Sequence, residues 1–134
     1  MAKHNEIGAL GEKIACQFLK NKRMKVIETN YWKPYGEIDI VARENKTTHF
    51  IEVKSVSYLP AGRQVKGEPT VPYGTIRPEE NLHPGKMKKL SRVIESYIIS
   101  HETDEWTFDL ICVYIDQKNR KAQVKWLKDI TLEG

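Results

Sequence analysis

Apolar residues along this chain recur at two different periods, and the changes of period divide it into elements. Over residues 5–22, Ile7, Leu10, Ile14 and Phe18 return at helical spacing, with Asn5 placed to cap the helix they predict. Residues 24–29 read as a short strand around Val26 and Ile27, and Pro34-Tyr35-Gly36 as a turn. The stretch YGEIDIVARENKTTHFIEVKS, residues 35–55, reads as two strands about a polar turn. Residues 55–81 hold Pro and Gly without a period, a long loop of a kind uncommon in compact domains unless functional or mobile. From Pro84 a second apolar stripe, Met87, Leu90, Val93, Ile94, Tyr97 and Ile98, predicts a helix to about His101. Residues 107–115 and 122–127 are β-rich and flank a polar turn at 117–121. The order is helix, strand, hairpin, loop, helix, hairpin, which predicts one α/β domain with a mixed central sheet and no internal repeat.

Pairing within 35–55 follows from the same pattern. A two-residue turn at Asn45-Lys46 sets Ile40 against Ile51 and Val41 against Phe50, and carries on to Ile38 against Val53. A slip of one position would set apolar side chains against polar ones. In this register Asp39 faces Glu52 directly, with Cβ atoms about 5 Å apart, and Glu37 faces Lys54. Two acids so placed repel, and something cationic is expected between them.

Composition narrows the class. The chain has 134 residues, 40% of them apolar and 30% charged, as in a globular domain with a real core. No apolar run approaches the ~18 residues that span a bilayer, so no membrane association is expected. Cys16 and Cys112 are far apart and form no CxxC, which fits a reduced cytoplasmic protein better than a disulfide scaffold or zinc site. The net charge of +4 is mild, but basic residues cluster at 20–25, at Lys86, Lys88, Lys89 and Arg92, and at Lys118, Arg120 and Lys121. Such clusters neutralise phosphates, although solvated helix ends account for any one of them.

The paired acids are the candidate chemistry. Hydrolysing a phosphodiester near neutral pH needs an activated nucleophile and relief of the charge that builds on phosphate, and a divalent metal supplies both. Magnesium takes one or two carboxylates with water and phosphate oxygens. Asp39 and Glu52 are such a pair, and Lys54, two residues beyond Glu52, lies on the same side of the strand. Acid-x-Lys occurs three times in the chain, but only Glu52-Val53-Lys54 lies inside a strand with an acid across the ladder. The competing reading is a surface charge ladder, since exposed ion pairs are common and weak.

Gly11-Glu12, Asn30, Gly36-Glu37-Ile38-Asp39, Phe50-Ile51-Glu52-Val53-Lys54, Pro84-x-Lys86 and Phe108-Asp109 together resemble the bacterial YraN-like family, in order from about Gly8 to Leu127. That family is related to archaeal Holliday-junction resolvases and has the restriction-endonuclease-like fold of the PD-(D/E)xK nucleases. The resemblance implies a metal-dependent endonuclease cutting DNA, branched or single-stranded, with Mg2+ or Mn2+ as cofactor. Asp39 and Glu52 become metal carboxylates, Glu12 a helical acid at the same metal, and Lys54 the catalytic lysine. Lys86 matches a family lysine at the start of the second helix, where it meets a phosphate or is simply solvated. With Lys89 and Arg92 of its basic cluster it is expected to contact DNA. A homodimer would suit a junction with two strands to cut.

Two features depart from the family pattern. Val56 stands where Arg is usual, and the loop is longer over about 57–72, where it obstructs the cleft, brings Arg63 and Lys66 to the substrate, or is inert. Tyr31, Trp32 and Tyr35 either stack on unpaired bases or pack against the fold. The alternative to an enzyme is a nuclease-like module that holds nucleic acid or a protein without cutting.

Overall fold

The computed structural model describes residues 2–58 and 82–132. It is an α/β fold of restriction-endonuclease-like arrangement: helix α1 (Ala2–Asn21), strands β1 (Lys25–Lys33), β2 (Gly36–Glu44) and β3 (Thr47–Tyr58), helix α2 (Pro84–His101), and strands β4 (Glu105–Asp116) and β5 (Lys121–Leu127). One five-stranded sheet runs in chain order, antiparallel throughout except that β3 and β4 are parallel. The parallel pair is joined through α2, as a crossover between parallel strands requires.

Alternation along the strands feeds two cores. Ile40, Ala42, Ile51, Ile111 and Val113 turn to one face, where Ala15 and Leu19 of α1 cover them. Val41, Phe50 and Phe108 turn to the other, against Leu90, Val93, Ile94 and Tyr97 of α2. The helices therefore lie on opposite faces, as side chains of period two in the strands dictate.

The buried line of α1 is rotated from the expected stripe. Gly11, Ala15 and Leu19 face the sheet, whereas Leu10 is 41% exposed. Small residues carry little apolar signal yet let a helix come close. A Cβ added at Gly11 would lie 2.8 Å from the Cβ of Ser55, so glycine sets the approach of α1 to β3. The helix also begins at Ala2, which puts Asn5 inside it rather than at its N-cap.

β1 runs on through Tyr31 and Trp32 after a bulge between Val26 and Glu28. β3 extends to Tyr58, paired with Asp116, so residues 55–58 belong to the sheet and not to the loop. The rest of the expected loop, with Arg63 and Lys66, lies outside the described residues. None of the described helices is long and apolar enough to cross a membrane.

Candidate functional site

The β2–β3 hairpin has the expected register from its turn up to the pair Ile40–Ile51, and there the ladder stops. Ile38 and Val53, Asp39 and Glu52, and Glu37 and Lys54 do not pair as the sequence predicts. Instead the strands part, and the Val53 backbone N–H donates to Asp39 Oδ2 at 2.8 Å. A carboxylate thus replaces a main-chain acceptor at the opening of the fork. A continued ladder would hold the two acids directly opposite each other, an arrangement that like charges disfavour.

Three elements bring groups to this fork besides β2 and β3. From α2, Lys86 Nζ meets Glu52 Oε1 at 2.7 Å, which supplies the cation expected beside the acids. From β1, Asn30 takes a left-handed backbone (φ 53), a conformation asparagine tolerates better than most residues. Its side-chain Nδ2 donates to Glu12 Oε1 of α1 at 2.9 Å and to Glu37 Oε1 at 2.6 Å. Glu37 is therefore held by Asn30, in place of the expected Lys54. Lys54 sits half-buried on β3, two residues from Glu52 and on its side of the strand.

Asp39 registers the crowding. Burial, then the Glu52 charge, pushes its carboxyl up to about 8 from 3.8, with Glu12 and Glu37 adding to the rise and the Val53 N–H opposing it. A half-buried carboxyl raised chiefly by desolvation and a neighbouring acid is the electrostatic condition that a bound cation relieves. Among the described residues no group of three or more His, Cys, Asp or Glu side chains is placed to hold a metal ion. The pair Asp39 and Glu52 could supply two carboxylates to a cation, with Glu12 tethered beside them by Asn30. Such a sparse set suits magnesium, which keeps several waters.

The other sequence candidates divide. Lys89 is exposed on α2 and lines, with Lys86, a cleft of about 390 Å3 that reaches Glu37. Arg92 lies over the Tyr35 ring at 4.3 Å. Tyr31 packs edge-on against Tyr97, with centroids 5.1 Å apart. Val56, in place of the usual arginine, packs beside Leu110, Cys112 and Tyr114, in an apolar setting hostile to a charge.

Asp109 belongs elsewhere. Fully buried, it pairs with His49 Nδ1 at 2.6 Å and accepts from Thr107 Oγ1, Trp126 Nε1 and the Asp129 backbone N–H. These hydrogen bonds hold its carboxyl below the usual range against the opposing effect of burial. The network ties β3, β4 and β5 to the segment after Leu127, a structural clamp whose members are too scattered in sequence to be read as a group.

The sequence matches the model of the uncharacterised protein family UPF0102 over residues 11–113, a span that includes Glu12, Asp39, Glu52, Lys54 and Lys86. Similar chains include UPF0102 proteins of three bacteria. That of Campylobacter lari is 39% identical over 125 residues, covering 92% of each chain. That of Flavobacterium psychrophilum is 32% identical and again covers 92% of each. The Caldicellulosiruptor bescii protein is 31% identical, over 92% of this chain and 95% of its own.

Proposed function

From the premise that this chain belongs to the uncharacterised protein family UPF0102, the YraN-like family that its motifs resemble, we propose that it is a metal-dependent endonuclease acting on DNA. The observation that carries this reading is the fork: β2 and β3 part at Asp39 and Glu52, and burial, followed by the Glu52 charge, raises the Asp39 carboxyl to about 8. Asp39 and Glu52 would hold one Mg2+ or Mn2+ ion, with Glu12, expected as a third ligand, held beside them by Asn30. Such an ion supplies Lewis-acid polarisation of a phosphodiester and a nucleophile at neutral pH.

The remaining roles fall to this chain's own side chains. Lys54, beside Glu52, offsets the charge that builds on the phosphate oxygens. Asn30 fixes Glu12 and Glu37 so that neither swings into the fork unpaired. Lys86 neutralises Glu52 in the resting protein and is placed to exchange that carboxylate for a phosphate oxygen. Lys89 and Arg92 extend the basic surface along α2 toward the DNA backbone.

The test is cleavage of single-stranded and four-way-junction DNA with Mg2+ and with chelator. Cutting that needs metal and fails in Asp39→Asn and Lys54→Met supports the reading. Cutting that survives both substitutions, or is absent from wild type on every substrate, removes it. A second reading, a binding module that does not cut, draws on the Lys86–Glu52 ion pair, in which an ammonium already satisfies one acid. It is selected if DNA binding survives Glu52→Gln while wild type cuts nothing.

A further inference from the structure

The cleft beside the fork carries an aromatic ring that neither the fold nor the proposed chemistry uses. Trp32, near the end of β1, is 66% exposed. Its aromatic neighbours are engaged: Tyr31 packs against Tyr97, and the Arg92 guanidinium covers Tyr35. Trp32 instead forms one wall of the cleft of about 390 Å3, together with Lys33, Tyr35, Glu37, Lys86 and Lys89. Two of those residues belong to the fork as well, since Lys86 pairs with Glu52 and Glu37 shares the Asn30 amide with Glu12. The cleft and the acid site are therefore contiguous.

We propose that this cleft is a nucleobase subsite, in which Trp32 stacks an unpaired base while Lys33 and Lys89 hold the flanking phosphates. An exposed indole among ammonium groups matches a strand of nucleic acid, in which flat apolar rings and negative charges alternate. A base inside a duplex has both faces covered by its neighbours and offers none to the indole, so the subsite selects unpaired DNA. That the stacked base lies beside the phosphate to be cut rests on the nuclease reading; the stacking itself does not.

The experiment measures binding by fluorescence anisotropy in chelator, where nothing is cut. Three ligands are compared: a labelled oligothymidylate, an abasic strand of equal length and a blunt duplex. Wild type is expected to prefer oligothymidylate over the abasic strand by about tenfold, the worth of one base–aromatic stack. Trp32→Ala removes that preference and leaves duplex affinity unchanged, and Trp32→Phe keeps most of it. Lys89→Gln weakens all three ligands alike and lowers the salt slope by about one.

An unchanged base preference in Trp32→Ala overturns the proposal. So does equal weakening of all three ligands together with loss of a dimer in sedimentation, which would make the tryptophan face an interface between copies. Base stacking without any cutting would leave the subsite standing and remove the nuclease. Metal-dependent cutting alongside an unchanged base preference in Trp32→Ala would do the reverse.

Discussion

Without metal, stability should fall as pH rises from 5 to 9, and Asp39 should be the cause. Its carboxyl ordinarily titrates at 3.8 and is raised to about 8 in the folded chain, so between these values the native state binds a proton that the unfolded chain has released. Stability is complete below the unfolded value and is lost as pH climbs to the folded one. Four pH units at about 1.4 kcal/mol each set a ceiling of roughly 6 kcal/mol, of which about 4 kcal/mol falls between pH 5 and 9. Solvent reaches the half-buried carboxyl and screens part of this, leaving about 2–3 kcal/mol. At the scale of a domain this size that is roughly 10 °C in melting temperature. The groups facing Asp39 are Glu52 on β3, Glu12 on α1 and Glu37 on β2, with Lys86 of α2 already bound to Glu52.

The assay is urea unfolding in chelator across that range, with Asp39→Asn as the control. Asparagine keeps an oxygen for the Val53 N–H and carries no charge, so its profile should be nearly flat and its stability at pH 9 should exceed wild type. A fall of equal size in Asp39→Asn would place the titrating group elsewhere and refute the crowding.

Gly11→Ala should gain about 1 kcal/mol of helix propensity and lose about 1–3 by forcing a Cβ to within 2.8 Å of that of Ser55. The net is a loss, and Ser55→Gly should rescue it in a double-mutant cycle read by urea unfolding. Lys86→Met should leave Glu52 buried without its counter-charge, lowering the melting temperature in chelator and widening the gain on adding Mg2+. Asp109→Asn should cost about 2–4 kcal/mol, because an amide N–H2 would face groups that already donate, while metal affinity stays unchanged. The same carboxyl has a lowered pKa, so its contribution is present above the unfolded value and lost on further acidification. Calorimetry with metal and acid unfolding separate the two effects.

How much of this was legible in the sequence depends on whether a feature is local. The pairing of Ile40 with Ile51 and Val41 with Phe50 followed from apolar matching, because half-buried strands have only one register that keeps both faces consistent. The parting of the strands at Asp39 did not follow, since that logic assumes main-chain partners and here a side chain supplies the acceptor. On α1 the buried line of Gly11, Ala15 and Leu19 was displaced from the expected stripe because close approach depends on small residues that hydropathy undervalues. Lys86 was expected to meet a phosphate, but its contact with Glu52 is made from α2, far along the chain, and has no signature in spacing. Asn30 was visible only as part of a motif, because its left-handed backbone and its grip on two acids arise from how α1, β1 and β2 meet.

The most direct measurement is Mn2+ binding followed by electron paramagnetic resonance, in wild type, Asp39→Asn and Glu52→Gln. One ion per wild-type chain is expected, with affinity at least about tenfold weaker in each variant, a loss of roughly 1.4 kcal/mol or more. Equal affinity in all three proteins, or no bound ion in wild type, would contradict a shared metal site at the fork of β2 and β3.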